Sequence, residues 1–289
     1  MAKPAAPFLF TPMDERGAAF SPDGNTVVYA LRLGEYRQVL LVAEQHRGRW
    51  REPQVPAFSG IAYDGTPSFS PDGRRLFFTS NRNASGGTKS DFDIWSVARS
   101  KRGWGIPEPV PGEVNTLANE TGPMLTRSGR FYFASSKSGG GDIYVADSGP
   151  RGFTNPRSVG SGVNSDYPEA YPAVSPDEKF MVFLSAGRPD QPLARGHPYT
   201  RSDLYISRWT GSRWGSAKRL GPAINTTAAE SSPYFSADGR RFYFMSEHGF
   251  ATDQQLWLTP RTLFKGMASA RNALGNIYVI AASAIEDRR

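Results

Sequence analysis

The sequence predicts an all-β protein with the β-propeller fold, and a recurring motif and its spacing support this prediction. In each of five copies an acidic residue is followed, five positions later, by an apolar residue that opens a turn of the Ser-Pro-Asp-Gly kind. The acidic residues lie 49, 56, 49 and 61 residues apart, which is the period of a propeller blade rather than of a helical solenoid. They are Glu15, Asp64, Glu120, Glu169 and Glu230.

Each copy contains further strands in the same order. The turn provides the restricted and permissive backbone angles of a tight hairpin. A second strand follows, rich in Phe, Tyr and Val as expected for a buried strand. The second strands are predicted over 26–30, 76–80, 131–135, 180–184 and 242–246.

A third and a fourth strand complete each predicted blade. The third strand begins at Gln38, Asp93, Asp142 and Asp203 in the first four copies, and at either Gln255 or Asn276 in the fifth. A basic hairpin that contains an aromatic residue then leads into the fourth strand. Four antiparallel strands repeated five times predict a radial array of five small sheets.

The residues of the second copy resemble a known repeat family. Residues 69–82 read F-S-P-D-G-R-R-L-F-F-T-S-N-R and are followed by Asp-Ile-Trp, a pattern similar to the TolB-type, WD-like propeller repeat of bacterial proteins. The resemblance extends from about Glu15 to Ile280 and implies the propeller fold. Such repeats occur in periplasmic scaffold proteins, peptidase propeller domains and polysaccharide lyases, so the resemblance implies no single activity. The sequence shows neither a TolB-like α/β domain ahead of the repeats nor a hydrolase domain, so Pal binding and peptidase activity are not transferred to any residue.

Composition favours one domain over residues 1–289. The 30 glycines and 23 prolines are spread over the turns, and cysteine is absent, so we expect neither a disulfide nor a thiol nucleophile. Residues 1–10 lack the apolar core of a signal peptide, and the apolar stretch 277–285 is too short to span a membrane. We expect a monomeric protein that is cytoplasmic as written, or periplasmic or secreted if a signal sequence has been removed.

The two ends of the chain decide the predicted number of blades. Residues 6–10 lie where a fourth strand would precede Glu15. We expect a short helix over 260–271, a third strand over 276–280, and an N-terminal strand that completes the same blade. This arrangement closes the ring and leaves no exposed sheet edge at the seam. Six blades with one degenerate copy are the alternative.

Position within a repeat predicts the face on which a residue lies. Loops that enter the innermost strands and loops between the second and third strands should share one face, called the top face here. The five acidic residues should form a ring there around the channel mouth. In one interpretation each carboxylate bonds within its own blade, with Arg82, Lys137 or Arg188 as partners. In the other, several raise one another's pKa or bind a channel cation such as calcium.

Loop length predicts where binding or chemistry would occur. The loops over 81–92, 186–202 and 247–275 are long, and long loops on a rigid scaffold often carry function. His197 and His248 lie in two of them and, with Glu169 and Glu230, are the catalytic candidates if the protein is an enzyme. An interpretation of both histidines as ordinary surface residues stays open. The candidate ligand-binding residues are Arg82, Tyr167, Tyr171, Arg188, Tyr199 and Phe250.

Other chemical signatures are missing from the sequence. It contains no G-x-S-x-G elbow, H-E-x-x-H motif, P-loop or dinucleotide-binding glycine motif, and two loop histidines without cysteine do not suggest a structural zinc site. The formal net charge of +7 owes much to the hairpins at 46–51, 99–104 and 208–214. A basic face of this kind attracts polyanions, or it simply keeps the turns soluble. No nucleic-acid-binding module is recognisable.

Three functions follow from these patterns. The first is a non-catalytic binding or scaffold propeller that recognises a protein or envelope partner through its top face. The second is a lyase, hydrolase or cyclase that acts on a saccharide or small ligand at the channel mouth. The third is a polyanion-binding module. We expect no cofactor apart from the channel cation named above.

Overall fold

The computed structural model describes residues 2–35, 37–191, 202–247 and 274–286, which form a five-bladed β-propeller. In chain order the strands are β1 (Lys3–Pro4), β2 (Asp14–Phe20), β3 (Thr26–Arg32), β4 (Gln38–His46), β5 (Arg49–Trp50), β6 (Asp64–Phe69), β7 (Arg75–Arg82), β8 (Thr88–Ser100), β9 (Gly103–Trp104), β10 (Glu108–Pro109), β11 (Glu120–Leu125), β12 (Arg130–Ser135), β13 (Asp142–Gly149), β14 (Gly152–Ser158), β15 (Glu169–Val174), β16 (Phe180–Ala186), β17 (Ser202–Arg208), β18 (Lys218–Arg219), β19 (Glu230–Phe235), β20 (Arg241–Ser246) and β21 (Asn276–Ala281).

Each blade is an antiparallel sheet whose innermost strand begins at or beside one of the repeated acidic residues. The innermost strands are β2, β6, β11, β15 and β19. The blades are numbered 1 to 5 in the chain order of their innermost strands. From the innermost strand outwards, their strand orders are β2-β3-β4-β5, β6-β7-β8-β10, β11-β12-β13-β14, β15-β16-β17-β18 and β19-β20-β21-β1. The predicted five-bladed architecture is confirmed, and the six-bladed alternative is not what the described residues form.

The hairpins between first and second strands follow from the Ser-Pro-Asp-Gly sequence. In the first copy Ser21 Oγ donates to Asp23 Oδ1 at 2.5 Å, and the Thr26 amide donates back to Ser21 Oγ at 2.9 Å. Gly24 takes a φ of 71°, a left-handed conformation in which glycine avoids a Cβ clash. Blade 4 places Glu178 at the same turn position with a φ of 57°.

The ring closes as predicted, through the N-terminal strand of the last blade. β1 pairs with β21 by two residues, Lys3 with Val279 and Pro4 with Tyr278. The predicted strand over 6–10 is wrong, because Pro7–Leu9 forms a 3-10 helix instead. Proline suits the first position of a helical turn and donates no hydrogen bond to a sheet, so the sheet pairing occurs ahead of it. The helix predicted over 260–271 lies outside the described residues.

The hydrophobic core consists of five clusters, and each cluster lies between two neighbouring blades. The cluster that contains Val28 from blade 1 and Phe78 from blade 2 is one example. The last cluster joins Met245 of blade 5 to Val27 of blade 1 and so seals the ring. A short helix, α1 (Ser283–Glu286), adds Ile285 to the cluster between blades 4 and 5.

The aromatic residues of the basic hairpins pack at blade boundaries. Trp104 of blade 2 lies edge-on to Phe58 with ring centroids 5.4 Å apart, and Arg99 stacks over it at 5.7 Å. Trp50 of blade 1 packs in the same way against Phe8 at 5.5 Å. These aromatic rings therefore stabilise the ring of blades. In the described part of the chain, no helix is long and apolar enough to cross a membrane.

Candidate functional site

The five repeated acidic residues are buried, at most 1% exposed, and bond inside their own blades. In blade 3, Glu120 Oε2 accepts the Thr116 amide at 2.8 Å. Its Oε1 accepts the hydroxyls of Thr116 at 2.8 Å and Ser135 at 2.7 Å. Glu169 and Glu230 repeat this arrangement with their own loop and strand hydroxyls. The carboxylates of Glu120, Glu169 and Glu230 thus tie the loop that enters a blade to that blade's second strand.

In blades 2 and 4 an arginine completes the same arrangement. Arg82 Nη2 lies 2.6 Å from Asp64 Oδ1, and Arg188 Nη2 lies 2.6 Å from Glu169 Oε1. Both guanidinium groups therefore serve their own blades, although the sequence also suggests them as ligand-binding residues. The suggested pairing of Lys137 with Glu120 is wrong, because the Lys137 ammonium lies 3.9 Å from the centroid of the Tyr144 ring.

Blades 1, 3 and 5 lack such an ion pair at the carboxylate in the described residues, and burial raises the pKa of Glu120 in blade 3. In blade 1, Glu15 receives the Thr11 hydroxyl, but Leu31 lies across from it where other blades place serine. Glu15 Oε2 is buried and has no hydrogen-bond partner in the described part of the chain. Burial raises the pKa of Glu15 to about 7. Burial also raises the pKa of Glu230 to about 7, against the lowering effect of its Thr226 and Ser246 hydrogen bonds.

An asparagine clamp that the sequence reasoning missed joins neighbouring blades. Asn115, five residues before Glu120, accepts the Ile94 amide at 2.8 Å and donates to the Ile94 carbonyl at 2.9 Å. Asn164 and Asn225 hold the third strands of blades 3 and 4 in the same way. The signal was present in the sequence as an Asn-Thr or Asn-Ser pair at a fixed distance before the acid.

A bulge in each innermost strand brings one residue with positive φ to the central channel. The residue is always the second after the repeated acid, and the strand pairing shifts register there. The five are Gly17 (37°), Thr66 (44°), Gly122 (62°), Tyr171 (53°) and Ser232 (50°). Such a conformation costs a non-glycine residue roughly 1–2 kcal/mol. In blade 4 the residue in this strained conformation is a large aromatic one, Tyr171.

The channel opens at the top face into a cavity of about 290 Å³, the mouth cavity. A smaller space of about 40 Å³, the waist cavity, lies next to it along the innermost strands. Gly17, Thr66, Tyr171 and Ser232 line both, so four of the five bulge residues lie where the two spaces adjoin. None of the five repeated acids is among the described residues that line either space. The mouth cavity is lined by Arg16, Gly17, Arg32, Gln38, Tyr63, Gly65, Thr66, Thr79, Phe92, Thr121, Tyr171, Ser231 and Ser232.

One wall of the mouth cavity is aromatic and cationic. Tyr63 packs edge-on to Phe92 with centroids 5.3 Å apart, and its hydroxyl donates to Gln38 Oε1 at 3.1 Å. Burial raises the pKa of the Tyr63 phenol, and the nearby charges of Arg32 and Arg16 oppose that rise. The wall therefore offers a flat ring beside guanidinium groups.

The remaining predicted site residues divide into two groups. Tyr167 lies in the loop that enters blade 4, where its ring is near Gly187. His197, Tyr199, His248 and Phe250 lie outside the described residues, so the predicted grouping of both histidines with Glu169 and Glu230 stays a prediction. Over residues 2–35, 37–191, 202–247 and 274–286, no group of three or more His, Asp or Glu side chains could hold a metal ion. The channel cation also stays a prediction.

Comparison with known proteins identifies the fold. No family model matches the chain, and no curated protein matches its sequence. Among solved structures, TolB from Acinetobacter baumannii is similar with a TM-score of 0.50 and 16% identity, over 92% of this chain and 54% of that one. A putative TolB from Agrobacterium tumefaciens gives a TM-score of 0.50 and 19% identity, over 78% of this chain and 70% of that one.

A third similar structure is XC5397 from Xanthomonas campestris, a gluconolactonase. It has a TM-score of 0.51 and 12% identity, over 83% of this chain and 73% of that one. At these identities the similarity shows the β-propeller fold alone. The chain spans about half the length of the Acinetobacter TolB. The class of protein is therefore a β-propeller, with TolB proteins among its structural neighbours, and function must be argued from the site.

Proposed function

We propose that this protein is a non-catalytic binding propeller that holds a partner protein on its top face. One observation supports this proposal above the others: the top-face loops carry most of the large apolar side chains that are exposed in the described residues. Five of those seven side chains lie there, whereas Ile106 lies between β9 and β10, and Val55 lies earlier in the loop that contains Ile61. The five are Met13 (49% exposed), Leu33 (45%), Ile61 (80%), Leu117 (100%) and Leu274 (39%).

Exposed apolar side chains on one face are typical of surfaces that bind other proteins. Met13, Ile61 and Leu117 come from loops that enter innermost strands, Leu33 follows β3, and Leu274 precedes β21, so all five lie on the face that holds the mouth cavity. A partner that rests on these five side chains, called the apolar rim here, would cover them and close the polar cavity. An apolar rim beside a polar cavity suits a protein better than a small solute.

The hydrogen bonds of the Glu169 and Glu230 carboxylates also favour a binding function over a catalytic one. A general acid or base must come within hydrogen-bond reach of the reacting group. Glu169 and Glu230 are instead bonded to hydroxyls within their blades and do not line the mouth cavity. The enzymatic alternative would therefore rest on His197 and His248. Replacement of both histidines by alanine should leave partner capture unchanged, and loss of a catalysed turnover in that variant would support the enzyme instead.

Site-specific photocrosslinking tests the binding proposal. A photoreactive phenylalanine derivative at Ile61 or Leu117 should form an adduct with one and the same protein in cells that express the variant. The same derivative at Ile106 is the matched control, because that side chain is also apolar and 85% exposed but lies between β9 and β10, outside the loops that enter the innermost strands. Equal adducts from the top-face positions and from Ile106, or none from either, would contradict the proposal.

Substitution of exposed apolar residues by aspartate gives a second test of partner binding. Ile61→Asp with Leu117→Asp should weaken capture of that protein by about tenfold or more, because each carboxylate must be desolvated against an apolar contact. Ile106→Asp should leave it within about twofold. Thermal unfolding of both variants checks that the fold is retained, since all three side chains are exposed.

A further inference from the structure

The mouth cavity contains one guanidinium group without an acidic partner in the described residues. Arg32, the last residue of β3, donates from Nε to the Gly34 carbonyl at 3.2 Å. No carboxylate among those residues lies within ion-pair distance of it. The two terminal nitrogens of Arg32 therefore keep the fork of donors that matches a carboxylate.

The neighbouring Arg16 differs from Arg32 in this respect. Its Nε lies 2.7 Å from Asp14 Oδ1, and its Nη1 lies 2.8 Å from Glu247 Oε1. Asp14 lies directly across from Arg32 in the strand pairing, but its carboxylate receives Arg16 and the Gly275 amide. The acids that face this end of the cavity are thus bound to Arg16, and Arg32 is left to receive a ligand.

The rest of the lining can orient a small polar group. Hydroxyl groups of Thr121, Tyr171 and Ser231 come from blades 3, 4 and 5, while Arg32 and Tyr63 come from blades 1 and 2. The volume of about 290 Å³ is at the lower end of that of small-molecule sites, roughly 300–1,000 Å³. It has room for the end of an extended chain rather than for a folded element.

We propose that the mouth cavity is a carboxylate-binding site, in which Arg32 receives a carboxylate of the partner through its terminal nitrogens while Tyr63 and Phe92 flank it. This inference rests on the proposed binding function and specifies the chemistry at the centre of the same surface. The apolar rim holds the body of the partner, and Arg32 selects for the negative group that enters the cavity. The carboxylate is either the C-terminus of the partner or an Asp or Glu side chain.

Titration of the full-length protein with small probes tests this site without the partner. Protein carrying [¹⁵N]arginine is titrated with N-acetyl-alanyl-alanine, which has a free C-terminal carboxylate, and with its C-terminal amide. The methylamide of N-acetyl-aspartate presents the side-chain carboxylate instead. The Arg32 Nε–H signal, assigned by its loss in Arg32→Gln, should shift saturably with at least one carboxylate probe and not with the amide.

A matched control is available at the opposite end of the channel. Arg127 also donates to a single backbone carbonyl, that of Ala237 at 2.7 Å, and is exposed. Because the Arg32 variants lack that signal, binding of the carboxylate probe to all variants is compared by calorimetric titration. Arg127→Gln should leave the affinity unchanged, Arg32→Gln should abolish binding, and Arg32→Lys should weaken it by about tenfold, since lysine lacks the planar fork. Whichever carboxylate probe binds more tightly identifies the source of the group.

The outcomes separate this inference from the proposed function. An Arg32 signal that does not move with any carboxylate probe, or that moves equally with the amide, overturns the carboxylate site. If rim crosslinking nevertheless succeeds, the binding function stands without it. A saturable shift at Arg32 together with failed rim crosslinking would uphold the carboxylate site and contradict the protein-docking function.

Discussion

Blades 2 and 4 differ from blades 1 and 5 in how they hold the same repeated acid. In blades 2 and 4 a buried carboxylate meets an arginine at 2.6 Å and a serine of the second strand. Among the described residues, blades 3 and 5 keep the serine without an arginine partner, and blade 1 has Leu31 in place of the serine. The repeat therefore preserves the position of the acid while its charge is compensated in only part of the ring.

The two blades in which the carboxyl pKa is raised to about 7 lie at the seam of the propeller. Blades 1 and 5 are the two that the chain termini bring together, and both contain a glutamic acid whose pKa is raised to about 7. A buried carboxyl without a cation favours the neutral form. Burial thus favours the neutral form of Glu15 and Glu230 at the seam, whereas blades 2 and 4 hold their carboxylates in ion pairs.

The largest expected effect comes from removal of an arginine in blade 2. Arg82→Met leaves the Asp64 carboxylate buried without its cation, which should lower the free energy of unfolding by about 3–5 kcal/mol. Urea denaturation measures the loss. Arg157→Met is the control, because the Arg157–Asp147 pair is 45% and 46% exposed and should contribute only about 0–1 kcal/mol. Similar losses of unfolding free energy in both variants would show that the buried Arg82–Asp64 pair stabilises the fold no more than the exposed Arg157–Asp147 pair.

The next effect is a pH dependence that arises at the seam. Glu15 and Glu230 have folded-state pKa values of about 7 and an unfolded value of 4.5, so the folded state holds the protons more tightly. Their contribution to stability is fully present below pH 4.5 and is lost as the pH rises through about 7. We expect a fall of roughly 2–4 kcal/mol for the two residues together, with structural relaxation included.

Urea denaturation of the wild type at about pH 5 and about pH 8.5 measures this fall. The double variant Glu15→Gln with Glu230→Gln mimics the neutral carboxyls, and its stability should change less between the two pH values. An equal change in wild type and variant would place the pH dependence elsewhere in the molecule.

The smallest effect tests why blade 1 differs from the others. Leu31→Ser places a hydroxyl where blade 2 has Ser80, and a hydrogen bond to the charged form lowers a carboxyl pKa. The pKa of Glu15, followed by NMR of its side-chain carboxyl carbon, should fall by about one unit. Ser246→Leu in blade 5 is the converse and should raise the pKa of Glu230. A Glu15 pKa that is the same in wild type and Leu31→Ser would separate its titration from the missing serine.

Sequence reasoning predicted the architecture because the propeller depends on local patterns. The Ser-Pro-Asp-Gly turn and the alternation of β-forming residues repeat with each blade, so strand order and ring closure followed. The first residues were harder to predict, since Pro4 and Pro7 allow either a strand end or a helical turn. Pairing with β21 selects the strand at Lys3–Pro4, and this contact is distant in sequence.

The site was less predictable for a related reason. A repeated acid can be recognised from spacing, but whether it faces the channel or its own blade depends on hydroxyls that are distant in sequence, such as Ser135 for Glu120. The bulge at Tyr171 has no sequence signal of its own, since tyrosine rarely adopts positive φ. Arg32 was not recognised as a candidate, because only the fold shows which guanidinium groups lack an acid.

The seam also has a mechanical consequence. β1 contributes only the pairs Lys3–Val279 and Pro4–Tyr278, with one further backbone bond from the Ala5 amide to the Ile277 carbonyl at 3.0 Å. Tension applied at residue 2 would load these few bonds first and peel β1 away before any other strand. Single-molecule stretching from that end should therefore show blade 5 losing its outer strand as the earliest event, with the remaining blades yielding at higher force.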